Sequence, residues 1–169
     1  LLAQLGDRPP PDIAPAGGGE AFLEFLIDEV RPFIAGRYAT DPGDQTLVGS
    51  SLGGLFSLHA YLTRPGAFRR HVAGSPALWW RDGEAFATEA AAQPDPETRL
   101  FLSVGGLETD PRWPMVDHMA EMARRLTGRG LPVVSHIFES ESHTSVIPAA
   151  LSRGLRSVFA PLPTGAMTS

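Results

Sequence analysis

The residue best placed for chemistry in this sequence is a serine set between glycines. Gly49-Ser50-Ser51-Leu52-Gly53 puts Ser51 in a Gly-x-Ser-x-Gly pattern, after the apolar pair Leu47-Val48 and before a periodic apolar segment holding Leu55, Phe56, Leu58 and Leu62. The order reads as strand, sharp turn and helix, the nucleophile elbow. Glycines serve such a turn because strand and helix come too close for side chains, and the serine is forced into a strained backbone conformation. A serine hydroxyl is a weak nucleophile by itself. Acyl transfer through it needs a base to take its proton, an acid to hold that base in one tautomer, and N–H donors for the oxyanion.

Five histidines compete for the role of base. His59 and His118 fall in helical patterns, His136 lies inside a strand pattern and His71 near the start of one, so each reads as a structural histidine. His143 stands in a loop beside Glu141, Ser142 and Thr144, between the last strand pattern and the last helix pattern. It is the expected base. Two acids compete for the third place. Glu108 directly follows Leu102-Ser103-Val104-Gly105-Gly106-Leu107, and Asp110 lies two residues on in the same loop. Glu108 stands ahead because a residue near a strand end is held more rigidly, and the chain order Ser51, Glu108, His143 is one known for such triads. The backbone N–H of Leu52 is the expected oxyanion donor, helped by the start of its helix.

Periodicity supplies the elements that position these groups. Gln45 to Ser50 reads as a buried strand, Arg70 to Ser75, Leu100 to Gly105 and Val133 to Phe138 as further strands. Helices are expected over Glu20 to Arg37, Leu52 to Thr63, Asp82 to Ala92 with Asp82 as N-cap, Trp113 to Thr127, and Val146 to Phe159. In the first of these, Pro32 should bend or restart the helix, and Phe22, Leu23, Leu26, Ile27, Val30, Phe33 and Ile34 form a stripe expected to face a core. Alternating strands and helices imply an α/β fold, a mostly parallel sheet of four main strands with helices on both faces. Ligands gather at the carboxyl ends of such strands. Ser51, Ser75 to Arg81, Glu108 and His143 all follow strands. Trp79 and Trp80 read either as packing or as a pocket wall that stacks on an aromatic acyl group, with Arg81 available to attract an anion. Residues 1–19, rich in proline and glycine, read as a loop or linker before a domain over 20–160, and 161–169 as a flexible tail.

Composition narrows the partners. The 169 residues carry a net charge of -5 and no cysteine. There is no basic run of the kind that holds nucleic acid, no thiolate metal site or disulfide, and no apolar run long enough for a membrane span. No signal peptide is visible at the start; the compartment stays open, with cytoplasm favoured over periplasm. A small-molecule ester is the expected partner, without metal or organic cofactor.

Gly49-Ser50-Ser51-Leu52-Gly53-Gly54-Leu55-Phe56, Ser75-Pro76-Ala77-Leu78-Trp79-Trp80, Val104-Gly105-Gly106-Leu107-Glu108 and the block from His143 to Leu155 together resemble an esterase family of α/β-hydrolases. Within it they are most similar to the branch of siderophore esterases that hydrolyse enterobactin-like trilactones. The resemblance covers about residues 20 to 160 and implies the C-terminal portion of an α/β-hydrolase fold. It further implies Ser51 as nucleophile and His143 as base, and supports Glu108 less directly, since some members work as a Ser/His pair. Members carry a longer segment before the elbow, with the first strands and the loop that completes the oxyanion hole; here Gly49 follows 48 residues. The chain therefore reads as N-terminally truncated, with an uncovered strand edge beside Leu47 where a homodimer could pair. An acyltransferase, a thioesterase and an inactive scaffold remain alternatives to a serine esterase.

Overall fold

The computed structural model describes residues 17–161. Most of the expected linker over 1–19 and all but residue 161 of the expected tail lie outside the described residues. The chain divides into two compact units, meeting between Thr40 and Asp41.

The first unit is helical. Helix α1 (Gly19–Phe25) runs through a π-turn (Leu26–Val30) into α2 (Arg31–Ala35). The restart expected at Pro32 is present, and the π-turn is how it is made: the Arg31 N–H reaches the Leu26 carbonyl five residues back. Proline has no N–H to donate and its ring crowds the preceding turn, so widening the helix relieves it. The expected core-facing stripe is realised only in part, with Leu26, Ile27 and Val30 half-buried. Leu23 is fully buried, but Phe22 is 49% and Phe33 54% exposed. One extra residue in a turn rotates the following face by about 100°, so Phe33 and Ile34 no longer line up with Leu23.

The second unit is a four-stranded parallel sheet, order β1-β2-β3-β4, made of β1 (Thr46–Ser50), β2 (Arg70–Gly74), β3 (Arg99–Gly105) and β4 (Val133–Phe138). Val48 pairs in register with Val72, and Val72 with Phe101. Helices α3 (Leu52–Thr63), α4 (Glu84–Ala91), α5 (Met115–Gly128) and α6 (Val146–Phe159) connect and cover the strands. The α3 helix packs on β1 and β2, α5 on β3 and β4, and α6 on β2 and β3. Alternation along the strands then gives two apolar layers. Leu58, Tyr61, Leu100, Leu102, Met119 and Leu126 belong to the larger one, while Val72 and Phe101 meet Val158 of α6 in the smaller. A Cβ on Gly154 would lie 2.6 Å from Val72 and 2.9 Å from Phe101, so glycine lets α6 sit down on the sheet.

Three local expectations are corrected. The strand read as buried, β1, is the first strand of the sheet among the described residues, and Val48 on it is 43% exposed. Asp82 does not cap α4. It lies in a 3-10 turn (Trp80–Gly83) with φ 54, and Gly83, at φ 79, is the capping residue. Helix α5 begins at Met115 rather than Trp113, because the Asp110-Trp113 turn and Pro114 precede it, and its buried face is Met115, Met119, Met122, Ala123 and Leu126.

Candidate active site

Each strand delivers one polar group at its carboxyl end. Ser51 follows β1 at φ 58 and ψ -121, a conformation that a side chain strongly disfavours. The elbow holds it there. Its N–H donates to the Gly74 carbonyl at 3.0 Å, and its own carbonyl accepts from Leu55 at 2.9 Å and Ala77 at 3.2 Å. Of the pattern's two glycines, Gly49 has a steric reason and Gly53 has none, since a Cβ at Gly53 would meet nothing within 4 Å; the next glycine, Gly54, does have one. A Cβ at Gly49 would stand 1.9 Å from the Gly53 carbonyl oxygen, and one at Gly54 2.6 Å from that of Gly74. Leu52, half exposed, opens α3 directly after the serine.

Glu108 and His143 are brought together. His143 Nδ1 lies 2.6 Å from Glu108 Oε2. Glu108 is buried, with its side chain 3% exposed against 27% for His143. The loops that carry them are fastened to each other: the Gly106 N–H donates to Phe138, and the Leu107 N–H to the Glu141 carbonyl at 3.0 Å. Side chains on Gly105 or Gly106 would break this contact, since a Cβ at either would come within 2.5 to 2.6 Å of the backbone of Glu141 or Glu139. Two further donors reach the other carboxylate oxygen. Ser75 Oγ lies 2.6 Å and the Gly105 N–H 2.7 Å from Glu108 Oε1.

Burial pushes the Glu108 carboxyl up, but the hydrogen bonds from His143, Ser75 and the Gly105 N–H outweigh it and hold the group below its ordinary value. His143 moves the other way. Its hydrogen bond to Glu108 raises it, against a smaller loss from burial. A carboxylate beside Nδ1 stabilises the imidazolium and selects the tautomer protonated at Nδ1, so Nε2 is the nitrogen left to accept a proton.

The remaining candidates separate from this group. Asp110 is paired with Arg112 at 2.8 Å and held at about 2 by that guanidinium. Trp79 stacks on Trp113, ring centroids 5.4 Å apart at 24°, and packs against the main core; Trp80 is tilted against it at 5.8 Å. Arg81 is exposed, 3.5 Å from Glu84. His71 is buried among Ser57, Tyr61 and Phe68, and burial pushes it down to about 4. A small cleft of about 90 Å³ lined by Gln45, Arg69, Asp95 and Thr98 opens at the amino ends of the strands, opposite to Ser51, and does not mark this site. Sequence reasoning missed Trp113 as the stacking partner of Trp79, and missed Ser75 as a partner of the acid. For Ser75 a signal existed: it is the first residue after a strand.

A parallel sheet with a serine elbow on its first strand and a carboxylate–imidazole pair above its last two has the fold of an α/β-hydrolase. The chain matches the family described as "Putative esterase" over residues 10–155, and it belongs to that family. Among relatives, it is 35% identical over 156 residues to the ferri-bacillibactin esterase BesA of Bacillus subtilis, covering 86% of this chain and 53% of that one. It is 31% identical over 185 residues to a siderophore triacetylfusarinine C esterase of Aspergillus fumigatus, covering 92% and 63%. The crystal structure of the BES protein from Bacillus cereus superposes with a TM-score of 0.74 at 35% identity, covering 84% of this chain and 56% of that one. The chain thus spans roughly half the length of the curated relatives it matches.

Proposed function

We propose that the chain carries the reacting groups of a serine esterase. Ser51 is the nucleophile, His143 the general base, Glu108 the acid that orients it, and the Leu52 N–H an oxyanion donor. The observation that carries this reading is the 2.6 Å contact between Glu108 Oε2 and His143 Nδ1, at the same end of the sheet as a serine held at φ 58. In the scheme, Ser51 Oγ gives its proton to His143 Nε2 as it attacks the ester carbonyl carbon. The oxyanion of the tetrahedral intermediate accepts from the Leu52 N–H. Collapse breaks the ester C–O bond, and the departing alkoxide takes the proton from His143. Water then repeats the sequence on the acyl-enzyme, releasing the acid and restoring Ser51. None of these steps requires a metal or an organic cofactor.

For the substrate we propose a siderophore ester, on the strength of the names its relatives carry. Trp80 and Arg81, both on the loop after β2, are the proposed contacts for an aromatic acyl group and an anionic charge, with Trp79 as the support behind Trp80. The test of the reaction is covalent labelling by a fluorophosphonate. Labelling of the wild type and not of Ser51→Ala is expected; a wild type that stays unlabelled at high probe concentration would favour an inert scaffold. Adding a competing alcohol or thiol to an ester hydrolysis assay separates a hydrolase from a transferase. For the substrate class, Trp80→Ala should lose more activity on a catecholate ester than on a plain acyl ester, and equal losses would count against stacking.

A further inference from the structure

One buried hydroxyl beside the reacting groups has no part in the scheme above. Ser75, the first residue after β2, is fully buried, and its Oγ donates to Glu108 Oε1 at 2.6 Å. The Gly105 N–H donates to the same oxygen at 2.7 Å, and Oε2 is left to His143. A glutamate carboxylate turns easily about its last torsion. A single donor would leave Oε1 a pivot, whereas two donors from different strands fix the plane of the group and so aim Oε2 at the imidazole.

The backbone at Ser75 makes the same point. Its φ is 40, a region where glycine is comfortable and a side chain is strained. Its N–H is tied to the Ser103 carbonyl at 2.7 Å, and Pro76 follows. On backbone grounds glycine suits this position better, so the hydroxyl is what the side chain contributes. Ser103 offers a contrast. It is equally buried, one strand over, and its Oγ has no hydrogen-bond partner among the described residues.

We propose that Ser75 is a positioning residue: its hydroxyl locks the Glu108 carboxylate in the rotation that holds the Nδ1–H tautomer of His143. The kinetic consequence rests on the esterase reading of Ser51; the structural consequence does not.

The full chain is tested in four forms: wild type, Ser75→Gly, Ser75→Ala and Ser103→Ala. Two quantities are measured, the rate of fluorophosphonate labelling and the titration of the His143 imidazole followed by 15N NMR. Ser75→Gly relaxes the strained backbone, which offsets part of the stability lost with the buried hydrogen bond, and labelling is read on the folded fraction of each variant. Loss of one hydrogen bond to a charged group should slow labelling about tenfold in both Ser75 variants, with Ser103→Ala at the wild-type rate. In both Ser75 variants the His143 midpoint should fall toward the ordinary histidine value and the preference for the Nδ1–H tautomer should weaken. Glu108 is the charged group bonded to His143, and Glu139 and Glu141, on the same loop, are unchanged in every variant. A His143 titration and tautomer indifferent to the Ser75 hydroxyl would overturn the proposal. If the wild type itself does not label, the esterase reading fails, and the NMR titration still decides whether Ser75 positions the pair.

Discussion

The two ends of the sheet are built on opposite terms. At the carboxyl ends, backbone strain accumulates. The four non-glycine residues with positive φ among the described residues, Ser51, Ser75, Arg81 and Asp82, all lie in the loops that leave β1 and β2, and the buried carboxylate of Glu108 is hydrogen-bonded to one of them, Ser75. At the amino ends, arginines hold elements together. Arg70 Nε and Arg99 donate to the Val158 carbonyl at 3.0 and 3.1 Å, satisfying the C-terminus of α6, and Arg70 also pairs with Asp44. Arg129 links the end of α5 to the end of α4, donating to Glu89 Oε1 at 2.7 Å and to the Ala92 carbonyl at 2.6 Å. Cations at helix C-termini relieve orphan carbonyls and complement the helix dipole. The base of the sheet thus supplies rigidity, and the top carries conformations that would relax if they were free to.

The sharpest way to break this contrast is to relax the top. Ser51→Gly removes the nucleophile and the strain at once. Labelling and ester turnover should fall by at least about 10⁴-fold, while the folded state gains about 1 kcal/mol over Ser51→Ala, read from urea unfolding of both variants. A Ser51→Gly chain no more stable than Ser51→Ala would mean that the elbow is not strained.

Next in size is Glu108→Gln. It keeps the shape of the side chain and loses its charge, and turnover should drop by roughly 10³ to 10⁴-fold. In the wild type the acid limb of kcat/KM should lie above the ordinary histidine value of 6.5, because Glu108 raises His143; in Glu108→Gln it should move to lower pH. Stability follows the same signs. The depressed Glu108 stabilises the fold above its unfolded value of 4.5 and loses that effect as pH falls through its folded value. The raised His143 contributes fully below 6.5 and loses its share as pH rises through its folded value. The stability lost in Glu108→Gln should therefore be greatest between pH 4.5 and 6.5 and smaller on both sides. A difference independent of pH would mean that the pair is not ionised in the folded protein.

At the base, the smaller effect is on stability alone. Arg70→Ala or Arg99→Ala removes donors from the last carbonyls of α6 and should cost about 1 to 2 kcal/mol, with the labelling rate of the folded fraction unchanged. If labelling falls as well, the two ends are coupled through α6, whose N-terminus follows His143 by three residues.

Much of this layout is legible in the sequence. The α3 and α6 helices and β4 run over the spans that periodicity suggested, because strong patterns were bounded by glycine, proline and polar turns. The elbow and the loop histidine were legible for a related reason: each needs residue types that few other environments demand. What escaped depends on contacts between distant segments. Nothing local in Gly105-Gly106 tells that the Glu139–Glu141 backbone lies against it, and that contact is what brings His143 to Glu108 rather than to Asp110. Ser75 was legible as a residue at a strand end, but not its partner, which lies 33 residues away. The stripe on the first helix misled because a π-turn inserts a rotation that a fixed 3.6-residue period cannot register.

The smallest effect concerns the outer side of β1, which is the site of the homodimer we propose. Val48 is 43% exposed on the first strand of the sheet among the described residues, and an edge left unpaired would offer a row of backbone donors and acceptors to another chain. Lysine is among the residues that block such pairing. Val48→Lys lies on the sheet face opposite Leu47 and Gly49, away from α3 and the elbow it holds, so it should change monomer stability by no more than about 0.5 kcal/mol and leave labelling intact. Sedimentation velocity over a range of concentrations would then separate the two states of the edge. A wild type that self-associates and a Val48→Lys chain that does not would place the contact on β1. Association that persists in the variant would put it on another surface, and a wild type that stays monomeric throughout would remove the dimer.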